Sequence, residues 1–422
     1  MRIEHLRVKN FKGFSDFTIT LSPEQKVHII YGVNGTGKTS VLEALGLAAG
    51  TFLMKLPEVE NRNLDKAEIR LEEHLGSLEY QFPVELWANG FTLGQSWSIH
   101  RDAESVEGGL KERDAKALVA LSRISATIVQ EGKAEILPVV AYFSCRRLFN
   151  DRRKTDKKPI GRLQGYFNAL NDTSIKNELE DWFGDKTTQM VNKITSTGQP
   201  YQEPALEALY RVLLSVIPDT YTRAYYYKPE ADKRLVSGFF FENEDEKKFP
   251  IQLMSDGYRN LYYMVLEIAW RAWVLNGEFL NGEFNLKTPG LILIDEIDLH
   301  LHPKLQMEIL GILTRIFPKM QLVVTTHSPV VLGSVPAEVL KFEDGKLEPY
   351  TTYGQDASYT IRHNMDATDR NEAAQQEIKE YFELITSGQG KSPEALALRE
   401  KVMQYDESLV AEGDTLILFH ES

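Results

Sequence analysis

The chain has 422 residues, 42% of them hydrophobic and 26% charged, with a formal net charge of -13. That composition permits a sizeable buried core, and the acidic balance argues against charge-driven coating of nucleic acid while leaving a local basic groove open. A lone cysteine, Cys145, excludes a disulfide framework and a cysteine-rich zinc site, and the lack of a leader pattern or a long uncharged apolar run points to a cytoplasmic protein with no membrane contact.

Ile3 to Val8 and Phe17 to Leu21 alternate in polarity, so two strands are expected around a turn at Asn10-Phe11-Lys12-Gly13-Phe14. Val27 to Tyr31 is a short buried-type strand that runs into glycines, and a helix is expected from Thr39 to about Gly50. Further alternation at Glu79 to Leu86 and Ser96 to His100 suggests an antiparallel layer beside the core. A helix is expected over about 110–130, and Ile136 to Phe143 reads as a central strand. Residues 150–217 are polar with helical spacing but lack long heptads, which favours a compact helical lobe over a coiled-coil arm. A hairpin is expected from Tyr221–Tyr227 and Leu235–Phe241, and Val339 to Phe342 should finish the sheet. After a polar link over 351–370, Ile378, Tyr381, Phe382 and Ile385 fall on one face of an amphipathic helix. The chain thus divides into an N-terminal lobe (1–150), a helical insert (151–220), a C-terminal lobe (221–350) and a linker with a helical tail (351–422).

Four separated segments carry the chemistry. Gly32-Val33-Asn34-Gly35-Thr36-Gly37-Lys38-Thr39 fits the P-loop pattern at every fixed position. Glycines at 35 and 37 let backbone N–H groups from Gly35 to Ser40 close around phosphate oxygens at a helix start. Lys38 would neutralise the β/γ-phosphates of ATP, and the Thr39 hydroxyl would be a ligand for Mg²⁺. Asp295 and Glu296 end the apolar run Gly290 to Ile294 and supply a metal-side carboxylate and a base for the attacking water. His327, after another apolar run, would contact the γ-phosphate or that water as a neutral imidazole. Ser255-Asp256-Gly257 opens a helix whose start makes a second anion-binding tip. The pair His300 and His302 lacks a third ligand at metal spacing and reads as loop.

A P-loop, a Ser-x-Gly tip, a strand ending in two carboxylates and a strand ending in His, in that order, describe an ABC-type ATPase head: an α/β fold with a mixed core sheet and an antiparallel β layer. Together with Asn10–Phe14, the run Leu293 to Pro303 and Thr325–Pro329, these segments resemble the RecF/SMC/OLD-like ABC ATPases, and within them the Septu-type and retron-associated ATPases of anti-phage defence. The resemblance implies that Lys12 approaches the nucleotide, that Ser255 and Gly257 face the γ-phosphate held by a second copy, that Asp298 lies in the inter-subunit loop, and that His327 is the switch histidine. Met254 and Tyr258 depart from the family's signature, and no glutamine loop follows Phe143, where Arg146 or Arg147 could serve instead. Residues 346–422 are too few for the nuclease domain of OLD-type relatives, so the implied effector, such as an HNH nuclease or toxin, is a separate protein. The expected activity is ATP hydrolysis by a homodimer or higher oligomer controlling that effector. Nucleic acid stays open as a partner, with a RecF-like repair ATPase and an ATP-binding scaffold as alternatives.

Overall fold

The computed structural model describes residues 1–90, 95–102, 111–112, 115–145, 161–172, 174–217, 220–229, 236–343, 345–365 and 370–420. Two compact units emerge, Met1–Gly354 and Gln355–Ser422.

The first unit is an α/β structure built on a six-stranded sheet. Its strand order is Lys346–Tyr350, Glu338–Glu343, Val27–Gly32, Met320–Thr326, Gly290–Ile294 and Val139–Phe143. All pairings are parallel except that of the Lys346–Tyr350 edge strand. The strands Val27–Gly32, Gly290–Ile294 and Met320–Thr326 are buried along nearly their whole length, as parallel strands covered on both faces are. Parallel order brings Gly32, Thr326 and Ile294 to the same end of the sheet, so the chain leaves all three strands on one side, where ligands of such sheets bind.

An antiparallel layer packs beside this sheet, ordered Phe14–Thr20, Ile3–Phe11, Val84–Gly90, Gln95–Arg101 and Lys111–Glu112. This is the mixed core sheet with an antiparallel layer expected of an ABC-type head. The alternating run at 79–86 proves to be two strands, Ser77–Tyr80 and Val84–Gly90. Pro83 stands at the break, where it has no N–H to give to a ladder.

Helices Lys176–Thr197 and Pro204–Leu214 form the expected helical segment. Arg223–Tyr227 pairs with Gly238–Glu242 as the expected hairpin, and a third strand, Lys248–Pro250, extends it. The 25-residue helix Asp256–Leu280 follows and buries Tyr262, Trp270 and Arg271. The Arg271 guanidinium donates to the carbonyls of Gly165 and Phe167 at 2.9 Å and pairs with Glu267 at 2.7 Å.

Three expectations are corrected here. The strand containing Val339 to Phe342 does not finish the sheet, because Lys346–Tyr350 pairs antiparallel along its outer side. Val139–Phe143 is an edge strand of the sheet, not a central one. Its five residues are nevertheless all buried, because the turn at Gly161–Tyr166 and the long helix cover it, and the Tyr142 N–H is bonded to the Ala169 carbonyl. Uniform hydrophobicity reported burial, not position in the sheet. Likewise, the polar link over 351–370 contains a helix, Ala357–His363, started by the Asp356 carboxylate accepting from the Tyr359 N–H.

In the second unit, helices Glu372–Thr386, Pro393–Tyr405 and Glu407–His420 follow, the first two capped by the side chains of Asn371 and Ser392. Tyr381, Ile385, Val402 and Val410 form their core, with Ile378 and Phe382 packed against it. The apolar face read at helical spacing is therefore the face these helices bury. No helix among the described residues is long and apolar enough to cross a membrane.

Candidate nucleotide site

The P-loop joins the strand Val27–Gly32 to the helix Lys38–Gly50. Gly37 caps that helix in a left-handed conformation, with φ of 106°. A Cβ there would lie 2.9 Å from the Phe14 ring, so glycine is required by backbone and by space alike. Phe14 is stacked on Phe17 and Phe342, with ring centroids 4.4 and 6.0 Å away. An aromatic from the antiparallel layer thus buttresses the loop from below, a role that the Asn10–Phe14 motif conceals in sequence. Asn34 and Gly35 are exposed at the loop crest, and Thr39 and Ser40 are half-buried at the helix start.

The Lys38 ammonium is buried and donates to the carbonyls of Gly32 and Val33 at 2.9 and 2.8 Å. Burial lowers its pKa, while Asp295, Glu296 and Asp298 pull it back up. Those three acids are the residues singled out in sequence, and their fields converge on this lysine.

The Thr39 hydroxyl donates to Asp295 at 2.9 Å, joining groups 256 positions apart in the chain. Asp295 is fully buried and also accepts from the Thr325 hydroxyl at 2.6 Å. The carboxylate strand does not adjoin the P-loop strand, because Met320–Thr326 lies between them. Asp295 and Thr39 meet across the end of that intervening strand.

Glu296 is half-buried with a left-handed backbone, φ 46°, and its N–H donates to the Thr325 hydroxyl at 2.8 Å. Asp298 accepts from the Thr326 hydroxyl. His327 follows directly and is half-buried. Burial and then the Lys38 charge lower its pKa, against the opposing pull of Asp298, Glu296 and Asp295. Burial and the lysine charge thus both favour its neutral form.

Ser255 is exposed and precedes the long helix, and its hydroxyl accepts no capping hydrogen bond. Gly257 is buried against the loop that follows the carboxylates, where a Cβ would meet the His300 carbonyl oxygen at 2.8 Å. Leu253 beside this tip is 82% exposed. The tip thus faces solvent while its base is fitted to the segment carrying Asp295, Glu296 and Asp298.

Lys12 sits in a different set of contacts. Its ammonium pairs with Glu43, on the same helix as Thr39, and lies 3.9 Å from Glu68. Arg62 completes that cluster by donating to Glu68 and to the Glu43 carbonyl. Arg146 and Arg147 lie outside the described residues. His302 accepts from the Lys304 N–H and caps the helix Pro303–Ile316.

Sequence reading gave no role to Phe14, Glu43 or Thr325, although Phe14 and Thr325 lie inside motifs it singled out; Glu43 left no signal. The Thr39 hydroxyl and Asp295 carboxylate together offer the oxygen donors that a small hard cation such as Mg²⁺ takes, and the donor set fits that ion.

A family model described as "AAA domain, putative AbiEii toxin, Type IV TA system" matches residues 27–333. The Retron Vc95 probable ATPase of Vibrio cholerae serotype O1 biovar El Tor is 25% identical, over 81% of this chain and 73% of its own length. A Septu protein PtuA of Bacillus thuringiensis is 33% identical, over 78% of this chain and 72% of its own. Among solved structures, an SMC head bound to the C-winged helix domain of ScpA matches at 12% identity with a TM-score of 0.47, covering 83% of this chain and 98% of its own.

Proposed function

Because this chain belongs to the AAA-domain family just described, we propose that it binds and hydrolyses ATP as a subunit of an anti-phage defence complex. The observation that carries the ATPase reading is the bond between Thr39 and Asp295, which unites the P-loop with the carboxylate strand. ATP lies with its phosphates along the N–H groups of Gly35 to Ser40, at the positive end of the helix Lys38–Gly50. Mg²⁺ held by Thr39 and Asp295 would neutralise charge on the phosphates. Water attacks the γ-phosphorus, and a new P–O bond forms as the bond to the ADP oxygen breaks. The proton lost by that water passes to the Glu296 carboxylate. His327, neutral, orients the water or the γ-phosphate by a hydrogen bond.

Two copies sandwich the nucleotides, each P-loop facing the other copy's Ser255 and Gly257, with Asp298 in the loop between subunits. The exposed, uncapped Ser255 supports this arrangement, since a second copy's phosphate could complete that helix start. Lys12 shifts from Glu43 towards the nucleotide in this assembly. The resemblance to Septu-type and retron-associated ATPases supports the defence role and a separate effector, a nuclease or toxin, held or released by the nucleotide state.

The test compares wild type with Glu296→Gln for turnover, and for mass by light scattering with ATP and Mg²⁺. The reading predicts that wild type hydrolyses ATP, while the variant stops at ATP and accumulates as a dimer. Equal, negligible turnover in both would identify an ATP-binding scaffold, and a variant that stays monomeric with ATP bound would sink the sandwich. Salt-dependent DNA binding by the purified protein alone would favour a repair ATPase.

A further inference from the structure

We infer that Thr325 is the positioning residue for the proposed base: its side chain and its carbonyl together hold the turn on which Glu296 stands. The inference rests on the reading of Glu296 as base, and adds a residue to which no role has been given.

The chain leaves the strand Gly290–Ile294 and turns at once, placing Glu296 at φ 46°. A β-carbon disfavours that left-handed backbone, so surrounding bonds must maintain it. Two such bonds come from one residue. The Glu296 N–H donates to the Thr325 hydroxyl at 2.8 Å, and the Ile297 N–H donates to the Thr325 carbonyl at 3.0 Å. Thr325 is fully buried and is itself registered against Ile30 of the P-loop strand. The turn is therefore referenced to the strand beside the phosphate loop, not only to its own strand.

The hydroxyl has a single proton, and its direction is settled. It donates to Asp295 at 2.6 Å, so the lone pairs are left to accept from the Glu296 N–H. One oxygen thereby fixes the spacing between the metal-side carboxylate and the base. A valine at this position keeps shape and strand pairing, and keeps the carbonyl bond to Ile297. It removes only the oxygen, leaving both the Glu296 N–H and the buried Asp295 carboxylate without that partner and the turn freer to relax.

The experiment measures ATP turnover and nucleotide affinity in wild type, Thr325→Val, Thr325→Ser, Glu296→Gln and the double variant Thr325→Val/Glu296→Gln, each checked for folding by thermal unfolding. Thr325→Val should lose about 10–100-fold in kcat, the range for removing a partner that orients a reactive group, with ATP affinity within about threefold of wild type. Thr325→Ser should recover to within a few-fold. In the double variant the loss should fall short of the product of the two, because the Thr325 hydroxyl acts in part through the turn that carries Glu296. Should Thr325→Val not fold, Thr325→Cys keeps the volume, weakens both bonds and takes its place with the same expectations. Full turnover in Thr325→Val, no recovery with serine, or losses that multiply would each overturn the inference. Wild-type turnover unaffected by Glu296→Gln, or absent altogether, would instead overturn the reading of the base, and the inference with it.

Discussion

Gly257→Ala sets two physical effects against each other. The residue is the second of the helix Asp256–Leu280, and alanine is the better helix former by at most about 1 kcal/mol, less at an end than in an interior. Against that, the added carbon would stand 2.8 Å from the His300 carbonyl oxygen and 3.4 Å from the Leu301 Cα. Carbon and carbonyl oxygen come to rest near 3.3 Å, so about half an ångström must be found in main chain, not in a flexible side chain. Overpacking of that kind costs about 1–3 kcal/mol, which exceeds the propensity gain. The expected net loss is about 1–2 kcal/mol, lowering the unfolding midpoint by a few degrees at most in a protein of this size. Turnover should suffer more. The displaced segment continues from Asp295, Glu296 and Asp298, and misplacements of this order cost about tenfold or more in rate. Thermal unfolding and steady-state ATP hydrolysis read the two outcomes. An unchanged or raised midpoint with full turnover would show that the helix and the loop give way freely, and the tight fit would lose its meaning.

Replacing Lys38 by Met removes the second of the two causes that hold His327 low, so its imidazole should titrate at higher pH than in wild type. An NMR titration reads this, and a downward or absent movement refutes it. Glu338 is pushed up by burial, but hydrogen bonds from His28 and the Ser22 N–H prevail and hold its pKa below the ordinary value. A depressed carboxylate stabilises fully above its unfolded pKa and loses that contribution as pH falls through its folded one. Glu338→Gln should therefore melt earlier than wild type at pH 7 and converge with it in acid; parallel curves would contradict this. Arg271→Met strands the largely buried Glu267 and frees two carbonyls, a loss of about 3 kcal/mol in denaturant unfolding. The double change Arg271→Met/Glu267→Met should recover part of it, and a larger loss in the double variant would count against the pairing.

Which residues gather at the site was legible because each motif is short and its residue types have few other uses. Glycine spacing announced the loop that ends at Gly37, and a carboxylate pair after five apolar residues announced Asp295 and Glu296. Strand order was not legible. Nothing in the run Met320–Thr326 says that it lies between the P-loop strand and the carboxylate strand, since parallel neighbours are chosen by packing across hundreds of residues. The same limit misplaced Val139–Phe143, whose apolar residues are demanded by the helix and turn that cover it. The edge strand Lys346–Tyr350 and the helix Ala357–His363 were missed because both are polar and short, and local caps and pairing hold them. Lys12 shows a further limit: a motif lysine can be named in sequence, but Glu43 and Glu68, which hold it here, come from two other segments.

The strand Met320–Thr326, just before His327, is hydrogen-bonded along both flanks, to Val27–Gly32 on one side and to Gly290–Ile294 on the other. Sliding it by one residue would break two ladders and turn every side chain to the wrong face. A movement at this end of the sheet therefore has no route through a shift of this strand alone. It would pass either as a rigid tilt of the whole sheet or through the residues past Thr326, where the ladders stop and Ser328 bonds to Thr326 and Gln306 instead.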